Sequence, residues 1–317
     1  MKRHSDWPGQ SAHAVAAAVV LVATAALGIA AAKTGGPPAP GAATPVTDAF
    51  DPPRAAEPFA PGLVSIPRGQ GEFAERPVFS PDGHECWFDV TNYRTKTFTG
   101  FHMSRENGAW SKPEAAFFAQ SGGTQACVSC DGSTLFFSGP GPANPKVRGI
   151  WMCRRKTGAW REPVFLDRSV NGDADVGFPC VVRSGALYFL VFSGPDRGLR
   201  RAPRIDGGYP RAEAVPAFQP GPGRVFGDFF VDPDERFIVI YSTLPDNLGQ
   251  GDLYASFRLQ DGSWTPPRNL GPQVNTAGYD FAPSISPDGR ALFFTRDQGG
   301  TGGVWWIALA ALDAFAR

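Results

Sequence analysis

One short phrase recurs through the chain, most legibly as Phe79-Ser80-Pro81-Asp82-Gly83 and Ile285-Ser286-Pro287-Asp288-Gly289. Aligned on the turn, the copies fall at Asp82-Gly83, Asp131-Gly132, Ser184-Gly185, Asp234-Glu235 and Asp288-Gly289, with spacings of 49, 53, 50 and 54 residues. A unit repeating every ~50 residues implies an array of small structural modules, each too small to bury both its faces alone. After each turn comes an apolar run: Cys86-Trp87-Phe88, Leu135-Phe136-Phe137, Leu187-Tyr188-Phe189, Phe237-Ile238-Val239-Ile240 and Leu292-Phe293-Phe294. A third run follows in most copies, such as Ile150-Trp151-Met152 and Val304-Trp305-Trp306. A fourth is announced by Gly-x-Trp at Gly108-Ala109-Trp110, Gly158-Ala159-Trp160 and Gly262-Ser263-Trp264, with Gly207-Gly208-Tyr209 standing in for it in the third copy.

Four short strands per unit, rich in aromatic and β-branched residues and punctuated by Gly and Pro, predict a propeller blade. Asp-Gly supplies the positive φ that tight hairpin turns need, which is why it recurs at the same place. The fold expected is all-β: a five-bladed β-propeller of four-stranded antiparallel blades. The last copy supplies only three strands, whereas Phe59-Ala60-Pro61-Gly62-Leu63-Val64-Ser65 resembles a fourth strand. An N-terminal strand is therefore expected to complete the last blade and close the ring, removing exposed edges.

Lys2 and Arg3 precede an apolar stretch, Ala14 to Ala32, that ends in Ala30-Ala31-Ala32. That layout is that of a secretory signal peptide, with an uncleaved N-terminal membrane anchor as the competing reading at this length. Either places the rest outside the cytoplasm, because flanking basic residues stay inside. The domain plan that follows is 1–32 signal or anchor, 33–58 a Pro-, Gly- and Ala-rich disordered linker, and 59–317 the propeller. The formal net charge is zero, which gives no electrostatic case for nucleic acid and none for membrane contact beyond the N-terminal segment. Five cysteines, with Cys127 and Cys130 in a C-x-x-C spacing, leave redox use, a local disulfide and buried thiols as alternatives.

The segment Gly262-Ser263-Trp264 to Gly271, then Val274-Asn275-Thr276, Asp280 to Pro283, Ser286-Pro287-Asp288-Gly289 and Gly299 to Gly303 resembles the WD-like β-propeller repeat. That repeat is known from TolB-type propellers and from OmpA-associated envelope proteins. The resemblance implies a periplasmic propeller that binds partners, and it carries over no catalytic residue; the partner expected is a protein or peptide, or a cell-wall glycan, and the chain itself is expected to be monomeric.

Residues just before the first strand of each blade face the central funnel of such a ring. Acids gather there: Glu75, Asp175, Asp228 and Asp280, with Phe178, Phe229 and Tyr279 among them. Converging carboxylates suit a protein or peptide ligand, or calcium as a hard cation. They equally suit a glycosidase acid pair, or each can accept backbone N–H bonds at its own turn. The offset of the acid from the Asp-Gly turn varies between copies, against a symmetric ring. No zinc, Ser-His-Asp, P-loop or other cofactor pattern is present in the sequence. The function expected is an exported, non-catalytic binding propeller, with a carbohydrate-active enzyme using funnel carboxylates as the alternative. Trp110, Trp160 and Trp264 are expected to pack between blades rather than to form a sugar platform.

Overall fold

The computed structural model describes residues 51–60, 62–64, 72–299 and 302–315; the expected signal or anchor and most of the linker lie outside them. The Asp-Gly repeat becomes five antiparallel sheets arranged as a five-bladed β-propeller. From the axis outward, blade 1 runs Glu72–Phe79, Glu85–Asn92, Thr97–Glu106 and Glu114–Ala115. Blade 2 runs Thr124–Val128, Thr134–Pro140, Arg148–Lys156 and Val164–Phe165, and blade 3 Val176–Val181, Leu187–Val191, Gly198–Ala202 and Glu213–Ala214. Blade 4 runs Phe226–Val231, Phe237–Ser242, Asp252–Phe257 and Arg268–Asn269. Blade 5 has Tyr279–Ile285, Ala291–Asp297 and Gly302–Ala308, and takes its outermost strand, Glu57–Pro58, from the other end of the chain.

That closure was expected at Phe59 to Ser65; the paired residues lie just before it. Glu57 faces Trp306 and Pro58 faces Trp305, and Phe59 N–H donates to Val304 O at 2.8 Å. Phe59 is then buried against Phe79, Phe293 and Trp306, with ring centroids 6.1, 4.8 and 5.5 Å away, so it pins blade 5 to blade 1. Blade 5 also contacts blades 1 and 4 through its innermost strand.

The turns behave as their composition dictates. Ser80, Ser129 and Ser286 hydroxyls donate to Asp82, Asp131 and Asp288 carboxylates, and the following glycines sit at φ 71°, 70° and 73°. In blade 4 the same place is held by Asp232, whose carboxylate accepts the Asp234 N–H at 3.0 Å. The Gly-x-Trp segments differ from expectation in one respect. Ala109–Trp110 and Ala159–Trp160 form their own two-residue rung on the tail of the third strand, and the outermost strand follows. Asn107-Gly108 and Thr157-Gly158 have positive φ at both residues, the geometry of a tight type I′ hairpin, and this folds the rung back early.

The second strands carry the core. Every residue of Leu187–Val191 and of Phe237–Ser242 is buried between neighbouring blades. Burial of each such large apolar side chain contributes roughly 1.5–3 kcal/mol. Trp160 lies 6.2 Å from Trp87 of blade 1, and Trp264 lies 6.3 Å from Phe218 at the blade 3 side, so these tryptophans do pack between blades. Arg155 and Arg258 cover their rings at 4.1 and 4.9 Å. All five cysteines are unbridged thiols, and Cys86, Cys127, Cys153 and Cys180 are buried. Among the described residues no helix is long and apolar enough to cross a membrane.

Candidate ligand site in the central channel

Each innermost strand is interrupted by a register shift: between Glu75 and Val78, Thr124 and Cys127, Gly177 and Cys180, Phe226 and Phe229, and Phe281 and Ser284. At the shift, Arg76, Gln125, Phe178 and Ala282 adopt φ of 48°, 59°, 55° and 50°, and blade 4 carries Gly227 there. Left-handed backbone costs a non-glycine residue roughly 1–2 kcal/mol, so four equivalent instances amount to strain concentrated around the axis. Proline follows in three blades (Pro77, Pro179 and Pro283), where a bulge leaves no ladder bond for an N–H to make. Blade 4 departs from this pattern: Asp228 stands where the other blades have Pro or Ala.

Arg76 spans the channel. Its backbone belongs to blade 1, yet its Nη2 donates to Pro179 O of blade 3 at 3.2 Å, and its guanidinium lies 5.8 Å from the Phe178 ring. Around it stand three buried acids: Glu75 is 9% exposed, Asp89 8% and Asp228 3%. Asp89 is on the second strand of blade 1 and accepts the Gln125 N–H of blade 2 through both oxygens, at 3.2 and 2.9 Å. Gln125 in turn accepts the Phe178 N–H of blade 3 at 3.0 Å, so three blades are tied around the axis.

The electrostatics are under-compensated. Burial, then the charges of Asp228 and Asp89, push the Glu75 carboxyl well above its usual range, against the pull of Tyr93 and Thr91 beside it. Burial raises Asp228 to about 7, with Arg76 opposing and Asp89 reinforcing the shift. Burial raises Asp89 to about 6, against the Gln125 N–H, Arg76 and Arg148. Glu75 Oε1, Asp228 Oδ1, Thr91 Oγ1, and Nε and Nη1 of Arg76 have no hydrogen-bond partner in the protein although all are buried. Buried polar atoms are rarely left so, because each unmade bond costs ~1–3 kcal/mol.

The structure brings three of the seven sequence-predicted residues, Glu75, Asp228 and Phe178, to this place. Asp175 is half-buried to one side, where its carboxylate accepts the Arg148 N–H at 2.7 Å and ties blade 3 to blade 2. Asp280 does not join the cluster: it is fully buried, paired with Arg296 Nε at 2.9 Å, and accepts Thr276 N–H and Oγ1 at 2.6 and 2.8 Å. Phe229 is fully buried in the core shared by blades 3 and 4, and Tyr279 packs at the joint of blades 4 and 5. Arg76, Asp89 and Tyr93 escaped the sequence reading. An acid inside the apolar run Cys86-Trp87-Phe88-Asp89-Val90 was the signal for one of them. Among the described residues, no three His, Cys, Asp or Glu side chains gather closely enough to cage a metal ion.

No protein-family model and no curated protein sequence matches the chain. Solved structures share its propeller fold at low identity. TolB from Acinetobacter baumannii aligns at 13% identity and a TM-score of 0.47, covering 75% of this chain and 54% of TolB. The chain thus spans about half the length of that protein. An oligogalacturonate lyase from Vibrio parahaemolyticus aligns at 13% identity and TM-score 0.39, covering 76% of this chain and 68% of the lyase. The catalytic domain of a Coprinopsis cinerea GH62 α-L-arabinofuranosidase aligns at 10% identity and TM-score 0.49, covering 82% of this chain and 99% of that domain.

Proposed function

We propose that this chain is an exported, non-catalytic propeller that binds a protein or peptide partner through its central channel and the face onto which the channel opens. The observation that carries this reading is the set of buried but unpartnered polar atoms on Glu75, Arg76 and Asp228. The fold spends strain and desolvation to hold these groups at the axis and uses only part of their bonding capacity. Export rests on the N-terminal sequence pattern, and a periplasmic setting agrees with both.

Glycoside hydrolysis is the second reading, and one observation favours it: Glu75 and Asp228 retain protons at pH values where an ordinary carboxylate has lost them, as a general acid must. Their exposures of 9% and 3% weigh against it, because a sugar ring needs open space between two catalytic carboxyls. The discriminating experiment is affinity capture from solubilised envelope with the wild-type chain and with a Glu75→Gln/Asp228→Asn variant. Captured partners are then re-bound in purified form, and a panel of wall and plant oligosaccharides is screened in parallel. A purified partner bound only by the wild type is the expected result. Cleavage of an oligosaccharide by the wild type alone moves the assignment to the glycosidase, and equal retention by both chains overturns the binding reading.

A further inference from the structure

Three acids surround one spanning arginine at the axis, and their unmatched atoms define what the site lacks. Glu75 Oε1, Asp228 Oδ1 and the adjacent Thr91 Oγ1 have no hydrogen-bond partner in the protein, and each belongs to a side chain at least nine-tenths buried. A calcium-like cation is a poor answer, since it takes six to eight oxygens and only two carboxylates and one hydroxyl stand unpartnered here. An anion is a poorer one, because carboxylates outnumber the guanidinium. A primary ammonium carries three N–H donors on a compact charge and matches three acceptors. We infer that the channel takes the ammonium group of a peptide, held by Glu75, Asp228 and Thr91, with Arg76 beside it.

This inference rests on the binding reading above and names its ligand chemistry. Arg76 sharpens it. Nε and Nη1 of Arg76 are donors without an acceptor, at 6% exposure. A free N-terminus carries a carbonyl oxygen three bonds from its nitrogen, and that oxygen suits these donors. A lysine tip has no such oxygen. The N-terminus is therefore the better source of the ammonium.

Binding must also move protons. The groups facing Glu75 and Asp228 are Asp89, Arg76, Tyr93 and Thr91, with Arg148 acting on Asp89 and with Tyr241 near Asp228. A cation seated among these carboxyls favours their ionised forms, so uptake releases a proton. Below about pH 7, the apparent affinity then rises about ten-fold per pH unit for each proton released.

The test is titration calorimetry on the full chain with three small probes: glycinamide, which has an ammonium and a carbonyl; N-acetylglycinamide, which lacks the ammonium; and n-propylammonium, which lacks the carbonyl. Saturable glycinamide binding, at least ten-fold weaker in Asp228→Asn and in Glu75→Gln, is expected, with no binding of the acetylated probe. Stronger binding of glycinamide than of n-propylammonium supports an N-terminus, and equal binding keeps the ammonium and assigns it to lysine. Acetylated and free probes binding alike, calcium binding at the same carboxyls in place of the amines, or no binding at all overturns the inference. Should the variants fail to fold, the wild type alone decides: at pH 6, glycinamide heats in two buffers of different ionisation enthalpy must report about one proton released, and none released overturns it. The two readings also fail separately. A captured partner that glycinamide cannot displace leaves the binding module standing without an ammonium site, whereas glycinamide binding with no partner leaves the site without that role.

Discussion

Asp228 of blade 4 and Asp280 of blade 5 sit on neighbouring innermost strands, both removed from water, yet they meet opposite surroundings. Asp280 has a guanidinium, a backbone N–H and a hydroxyl directed at its two oxygens. Asp228 has one oxygen without any partner and receives its nearest positive charge from across the channel. Burial therefore does not distinguish these two acids. What separates them is whether the chain completes the acid's hydrogen bonds. Arg296 is itself held, by Nη2 to Val274 O at 2.6 Å and by the Trp305 ring 4.4 Å away, so the Asp280 pair is fixed from both sides. Loop 271–278 is anchored by it, and through that loop blade 5 is joined to blade 4, where Asn275 accepts the Leu253 N–H at 2.9 Å.

The largest effect that would break this comparison is Asp280→Ala. It strands a buried guanidinium, 9% exposed, and such losses run to about 3–5 kcal/mol. For a domain of this size that corresponds to a fall of about 10 °C in Tm by scanning calorimetry. A change under 1 kcal/mol would show that the ion pair contributes little and that the two acids are alike after all.

Asp228→Asn is expected to act in the opposite direction. Its carboxyl is raised from 3.8 to about 7 in the folded chain, so the fold favours the protonated form. Stability associated with that proton is complete below pH 4 and is lost as pH rises towards 7, and above 7 the folded state carries the full cost of a buried charge. The amide removes the charge, and urea unfolding at pH 8 should show a gain of roughly 2–4 kcal/mol that shrinks towards zero near pH 4. A gain independent of pH, or a loss at pH 8, would refute the assignment of Asp228 as an uncompensated acid.

The difference between the two acids was only partly legible in the sequence. The Asp-Gly turns, the apolar second strands and the five-fold count follow from local chemistry, and each is found as expected. The closing strand was read two residues late. Glu57-Pro58 has neither β-branched nor aromatic character, and a two-residue edge strand needs none, since Pro is tolerated at an edge. Glu75 and Asp228 could be singled out as acids near the inner strands, but their convergence could not. It depends on ring closure, which brings Arg76 to Pro179 across 103 residues of sequence. Asp280 looked the same as Asp228 because its partner Arg296 lies on the next strand, at a register that only the bulge between Phe281 and Ser284 defines. The Asp228 substitution for proline at the bulge is the one local clue to function, visible only once the five bulges are superimposed.

Thr276→Val sharpens the comparison with the smallest change. The Thr276 hydroxyl donates to Asp280 Oδ2 at 2.8 Å while the backbone N–H of the same residue supplies a second bond to the same oxygen. Valine keeps the shape, the β-branch and the backbone bond, and removes one charge-assisted hydrogen bond worth about 1.5 kcal/mol. The Arg296 pair remains, so Asp280 would keep enough partners to stay structural, and the loss in urea unfolding should stay near that figure at pH 7. Burial already holds the Asp280 carboxyl above its usual range, against Arg296 and Thr276, and with one donor gone it moves further up, towards the condition of Asp228. The deficit of Thr276→Val should therefore diminish as pH falls and the carboxylate takes up its proton, because the lost bond is made to the ionised form. A deficit that stays constant from pH 8 to pH 4 would mean that the hydroxyl serves the loop rather than the acid, and that Arg296 alone distinguishes Asp280 from its neighbour on blade 4.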